Sequence, residues 1–300
     1  MRNFNYALIA GLSAITLFSS CKKDDETPEP TTEKGDLTLN INGLEDLGKE
    51  YRYEGWLMVD GSPISAGIFK VDQDGKLSES TFKVPSAELA RATTYILTIE
   101  PTIDPDPAPS DVHILAGEFN DNSADISIAH KAALGNDFST SAGQYILATP
   151  TDGESITNEL SGVWWLDPTG GPSAGLSLPT LPKGWKYEGW AVINGQPVST
   201  GTFTSVDGSD DFNGFSGSTA SAPMYPGEDF LFNAANGLTF PTDLSGTKVV
   251  ISIEPSPDNS SAPFLLKPLL ANVSNSAVDH TLYTMDNISA ETNPEGTVRR

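Results

Sequence analysis

Apolar and polar residues alternate with a period of two along much of this chain, the spacing of strands that put one face on a core. Tyr53, Gly55, Leu57 and Val59 alternate with Glu54, Trp56 and Met58; Asp60-Gly61 follows; Ile64, Ala66 and Ile68 then alternate with Ser65, Gly67 and Phe69. This predicts a β-hairpin, because Asp-Gly suits the positive-φ positions of a tight turn. The pattern then repeats. Tyr53-Glu54-Gly55-Trp56, Gly61, Pro63, Gly67 and Phe69 return 134 residues later as Tyr187-Glu188-Gly189-Trp190, Gly195, Pro197, Gly201 and Phe203, with Asn194-Gly195 at the turn. Ile99-Glu100-Pro101 and Ala108-Pro109 return at an offset of 154 as Ile253-Glu254-Pro255 and Ala262-Pro263. The chain is a tandem duplication whose second copy carries about 20 more residues between its two blocks.

Other apolar runs read as strands: 37–41, 95–99, 144–148, 162–166, 176–178 and 248–253. Only 85–91 and 129–134 are candidates for helical turns. Pro63 and Pro197 lack the N–H that a ladder needs, which assigns their strands to a sheet edge or to a start before pairing. With 27 Gly and 22 Pro separating short apolar segments, the expected class is all-β, two tandem β-sandwich domains. The first repeat is expected over 36–152 and the second over 153–300, joined through the polar stretch Thr151-Asp152-Gly153-Glu154-Ser155, with an aromatic-rich insertion at 212–241 in the second.

Residues 1–20 follow a different pattern. Arg2, an apolar run from Tyr6 to Phe18 that is short for a membrane span, and Ser19-Ser20 before Cys21 form a lipoprotein signal, with Cys21 as the lipidation site. An ordinary secretory signal is the alternative, since Phe18 stands where lipoprotein signals usually carry an aliphatic residue. Cys21 is the sole cysteine, so no internal disulfide forms and the exported part depends on its apolar core. Residues 21–35, with Lys22-Lys23-Asp24-Asp25-Glu26 and two prolines, have too little apolar surface to fold and read as a disordered tether, with or without a surface-export address. Removing residues 1–20 deletes one positive charge, Arg2, and takes the formal charge from −23 to −24. Such a chain has no basic patch for phosphates, so nucleic acid is excluded as a partner and membrane attachment falls to the lipid. The expected location is the outer membrane, facing the cell surface or the periplasm.

The order Tyr-Glu-Gly-Trp, a hairpin ending Ser65-Ala66-Gly67-Ile68-Phe69 or Ser199-Thr200-Gly201-Thr202-Phe203, then Ile-Glu-Pro and Ala-Pro, resembles the extracytoplasmic C-terminal domain of the anti-sigma-K factor family. The resemblance covers 53–109 and 187–263. It implies an exported module for sensing or binding. The family's membrane-spanning helix and sigma-holding segment have no counterpart here, so no direct sigma-factor contact is expected.

Large aromatics in alternating strands are usually core, which is the expectation for Trp56 and Trp190. Glu54 with Glu100, and Glu188 with Glu254, have the residue types of an acid/base pair, but Glu before Pro marks an extended exit from a strand and reads as a strand-end or surface carboxylate. Gly171-Pro172-Ser173-Ala174-Gly175 matches a nucleophile elbow in letters only, since a loop precedes it and a strand follows. His113, His130 and His280 have no metal spacing. Asp72-Gln73-Asp74-Gly75 and Asp207-Gly208-Ser209-Asp210-Asp211 are oxygen-rich enough for weak calcium sites, yet read first as metal-free turns. No cofactor is expected. The insertion concentrates Phe212, Phe215, Tyr225, Phe230 and Phe232; together with one indole of the pair Trp164-Trp165, namely Trp165, these form the candidate binding surface, while capping of the sandwich end is the alternative role for the rings. The expected function is that of a non-enzymatic, lipid-anchored envelope module that binds an envelope protein or a glycan. A structural spacer and a hydrolase of extracellular polymer are the alternatives.

Overall fold

The computed structural model describes residues 33–153, 157–235, 237–258 and 260–300. The signal, Cys21 and most of the tether lie outside the described residues. Among the described residues no helix is long and apolar enough to cross a membrane.

The fold is all-β; among the described residues the helical pieces are two short α-helices, Ser86–Arg91 (α1) and Ser289–Thr292 (α2), and 3-10 turns at Pro150–Asp152 and Glu159–Ser161. The strands of the first half are β1 (Lys34–Asn42), β2 (Tyr51–Val59), β3 (Ser62–Phe69), β4 (Thr81–Pro85), β5 (Ala92–Pro101), β6 (His113–Glu118), β7 (Ser123–Ser127) and β8 (Ala142–Leu147). Those of the second are β9 (Gly162–Trp164), β10 (Leu166–Asp167), β11 (Ser173–Ala174), β12 (Leu176–Ser177), β13 (Trp185–Ile193), β14 (Gln196–Phe203), β15 (Gly227–Asp229), β16 (Lys248–Pro255), β17 (Leu269–Asn272), β18 (Tyr283–Thr284), β19 (Asp286–Asn287) and β20 (Glu295–Arg299). β1 begins at Lys34, inside the stretch expected to be tether. Residues 129–134 form turns rather than a helix.

The duplication is visible strand by strand. The order β3-β2-β5-β6 in one sheet is matched by β14-β13-β16-β17 in another. Both hairpins turn on positive-φ pairs, Asp60-Gly61 and Asn194-Gly195, and both slip register after the motif glycine, between Gly55 and Trp56 and between Gly189 and Trp190. β3 and β14, which carry Pro63 and Pro197, are edge strands. Tyr53 and Tyr187 tie their hairpins to equivalent points upstream, donating to the carbonyls of Glu45 at 3.1 Å and Pro179 at 2.6 Å. The motif glycines are required by close packing: a Cβ at Gly55 would overlap the ring of Tyr95, and one at Gly189 the ring of Trp165.

The division at 152/153 does not separate two bodies, because Glu33–Arg300 forms one compact unit. The last strand of each repeat completes the sheet of the other. β20 lies between β7 and β1, pairing Asn40 with Thr297 on one side and Asp125 with the same Thr297 on the other. β8 pairs only with strands of the second half: β9, β12 and β18. Beyond β20, Arg300 donates to the carbonyls of Ala92 at 2.6 Å and Asp121 at 2.7 Å, and its guanidinium stacks 4.4 Å from the Phe119 ring centroid. One apolar cluster runs from Leu37 to Val298 and takes in both halves. Of the polar stretch at the join, Glu154 and Ser155 lie outside the described residues, while Thr151 is held in place. Thr151 is buried and accepts the amides of Thr219 and Ala220 through its carbonyl, at 3.1 and 3.2 Å. A polar sequence does not report whether its backbone groups bond water or another segment, and here the second-repeat insertion supplies the partners.

Candidate functional site

The same hydrogen-bonded relay lies behind each Tyr-Glu-Gly-Trp motif. In the first repeat Trp56 Nε1 donates to Thr98 Oγ1 at 2.9 Å, and Thr98 Oγ1 donates to Glu100 Oε1 at 2.5 Å. In the second, Trp190 Nε1 donates to Ser252 Oγ at 2.8 Å and Ser252 donates to Glu254 Oε1. Ser65 and Ser199 donate to Glu54 and Glu188, while the Ser110 and Phe264 amides donate to Glu100 at 2.8 Å and Glu254 at 2.9 Å. All four glutamates are buried, which corrects the expectation of strand-end or surface carboxylates. The reason is that the second face of the sheet is covered too: Trp56 packs there against Ile96, Ala116 and Ala133. Carboxylates on such a face need donors, and the serines, threonine and amides provide them. Trp56 and Trp190 are buried, as expected for core residues.

The copies differ in the cation beside the acids. Arg52 reaches Glu54 at 3.8 Å in the first repeat. Its counterpart Lys186 makes no ion pair with Glu188 among the described residues and donates instead to Thr202 Oγ1 at 2.9 Å and Asp211 at 3.1 Å. Burial pushes the Glu188 carboxyl up to about 7 and Glu254 to about 8, with Ser199 and Ser252 acting in the opposite direction. Asp258 joins these two, and one carboxylate oxygen from each of the three lies within 4.8 Å of the others. Oxygen donors of this kind suit a hard divalent cation.

These raised values set a pH dependence. A carboxyl whose folded pKa is raised contributes its full stability below the unfolded value and loses that contribution as pH rises through the folded one. For Glu254 the window runs from 4.5 to about 8. Glu188 and Glu228 lose theirs between 4.5 and about 7, and Asp210 between 3.8 and about 7. In chelator-treated protein, Tm is expected to be at least ~5 °C lower at high than at low pH within this window, and Glu254→Gln should flatten the dependence; scanning calorimetry across the window checks it.

A groove of about 580 Å³ opens where the insertion meets β14. Glu188, Trp190, Val198, Phe212 and Phe215 are among its lining residues. Of the candidate binding residues, Phe212 is 38 % exposed and Phe232 55 %, whereas Phe215 and Tyr225 are half-buried. Phe215 packs edge-on against Phe212 at 4.9 Å, and Tyr225 donates to the Pro172 carbonyl at 2.9 Å. Phe230 and Trp165 are fully buried and are removed from the candidate surface. Phe230 is enclosed by Phe215 and Phe240, and Trp165 fills the space above Gly189. Trp164 is buried as well, so neither indole of the pair is exposed; its Nε1 donates to Asp229 at 2.7 Å. The insertion thus both caps the sheet and walls a groove.

Sequence reasoning missed the acids that hold this insertion. Asp229 accepts the Thr151 amide at 2.9 Å and its hydroxyl, and Glu228 accepts the Ser216 hydroxyl. Both carboxyls are raised chiefly by burial, Glu228 to about 7. Three residues, Gly227-Glu228-Asp229, form β15, too short for a period to register. In the acidic turns considered for calcium, Asp72, Asp210 and Asp211 accept hydrogen bonds from backbone amides. Asp72 accepts the Asp74 and Lys76 amides at 3.0 and 2.9 Å, and Asp211 accepts the Thr202 amide at 2.7 Å. Ser173 sits in the short strand β11 with no helix after it, and His113 Nδ1 lies 2.8 Å from the Ala132 carbonyl. Comparison with models of known protein families, with curated proteins and with solved structures finds no match to this chain.

Proposed function

We propose that the chain is an exported, non-enzymatic binding protein, anchored through a lipid on Cys21, that recognises a neutral glycan in the groove of its second repeat. The observation that carries this reading is the groove itself, which exposed Phe212 and half-buried Phe215 line together with Gln196, Ser199 and Ser260. An aromatic face beside hydroxyls and a carboxylate suits a sugar ring, and a formal charge of −23 disfavours anionic polymers. The position of the acids weighs against a polymer hydrolase. Glu254 is 1 % exposed, with Oε1 committed to Ser252 and Phe264, whereas an acid/base residue must reach its substrate. The resemblance to anti-sigma-factor ectodomains remains part of the proposal as a likeness in role, sensing without a sigma-holding segment.

Titration of the intact protein against a panel of neutral oligosaccharides tests the reading. Binding should weaken about tenfold in Phe212→Ala while the fold is retained, since an exposed ring contributes to stacking more than to the core. Equal binding by the variant, or none by the native protein, would overturn it. A structural spacer is the second reading, favoured by the exchange of β8 and β20 that makes the two repeats one body; it predicts no ligand at all.

A further inference from the structure

We propose that Glu188, Glu254 and Asp258 form a calcium site that the first repeat has closed with an arginine. Glu188 and Glu254 are 4 % and 1 % exposed, and each keeps one oxygen, Oε2, that receives no hydrogen bond among the described residues. Two buried carboxylates with bare oxygens are costly unless a cation or a proton satisfies them. One oxygen from each of these two and one from Asp258 fall within 4.8 Å of one another, a span that a single ion bridges.

The duplication provides an internal control. Offsets of 134 and 154 make Glu54, Glu100 and Asp104 the counterparts of Glu188, Glu254 and Asp258. In that copy the chain supplies its own cation, with Arg52 3.8 Å from Glu54 Oε2. In the second copy Lys186 occupies the arginine's position and is bound instead to Thr202 and Asp211. The acids are common to both copies and the guanidinium is not. All three donors are oxygens, with no His or Cys among them, which selects a hard ion. Calcium accepts an irregular oxygen shell completed by water, whereas magnesium demands a near-ideal octahedron. The site does not depend on what the groove binds, because its test uses the metal alone.

The probe is terbium(III), a calcium stand-in, whose luminescence is sensitised by a nearby indole; Trp190 is one residue away through Ser252. The intact protein should give a saturable signal displaced by calcium, with a calcium Kd on the order of 10⁻⁴ to 10⁻³ M. Glu254→Gln and Glu188→Gln should each weaken calcium binding at least tenfold. Lys186→Arg, which recreates the first repeat's arrangement, should do the same without removing an acid, and so decides the matter if a Gln variant fails to fold. Loss in Lys186→Arg or the folded Gln variants supports the site. Calcium binding that is absent from the native protein, or unchanged in Lys186→Arg and in the folded Gln variants, overturns it.

Discussion

Deleting Pro294–Arg300 is expected to abolish the cooperative fold of the first repeat, although every residue of that repeat is retained. β20 is an interior strand of the eight-stranded sheet, with β7 on one side and β1 on the other, so its loss leaves two strands with open edges at once. Val298 is fully buried in the shared core, and Arg300 satisfies carbonyls at Ala92 and Asp121. Removing one buried side chain of this size costs about 1–3 kcal/mol, and two sets of ladder hydrogen bonds go with it, against a total stability of about 5–15 kcal/mol for an ordinary domain. The expected result is a molten or unfolded first sheet, read as loss of the thermal transition by circular dichroism. A truncated chain melting within ~5 °C of the full one would contradict the exchange.

The second large effect is expected at Trp165, which is fully buried and lies over Gly189. Trp165→Ala opens a cavity the size of an indole and should cost about 3–5 kcal/mol. Gly189→Ala is destabilising for the opposite reason, since its Cβ would overlap the Trp165 ring and Thr200 Oγ1. The two changes share one contact, so they should not add: once the indole is gone only the Thr200 hydroxyl still opposes the new Cβ, and Gly189→Ala should cost less in the Trp165→Ala background than in the native one. Urea unfolding of the three variants measures the coupling. Strict additivity would mean that the glycine serves only its backbone.

The repeat, the two hairpins, the Asp-Gly and Asn-Gly turns and the edge positions of Pro63 and Pro197 were legible in the sequence, because each depends on local chemistry: a period, a positive φ or a missing N–H. The exchange of β8 and β20 was not. Pairing partners far apart in the chain leave no periodic trace, and Gly296-Thr297-Val298 is an ordinary edge-strand sequence until β7 and β1 are seen on either side of it. The buried glutamates failed for a related reason. Glu-Pro correctly marked the end of a strand at Pro101 and Pro255, but burial of the residue before it depends on what covers the outer face of the sheet, which in the second copy includes the insertion. The insertion's aromatic content pointed to a surface. The structure divides it, with Phe212 and Phe232 outside and Phe230 inside.

The central claim, that two repeats form one body by trading their last strands within a single chain, is tested most directly by a disulfide across the exchanged pair. Asn40 and Thr297 are directly opposed on β1 and β20. In a Cys21→Ser background, Asn40→Cys/Thr297→Cys should oxidise to an intramolecular crosslink, seen as a monomer of increased gel mobility that reverts on reduction. Free thiols, or crosslinked dimers at low protein concentration, would show that β20 does not lie beside β1 of its own chain.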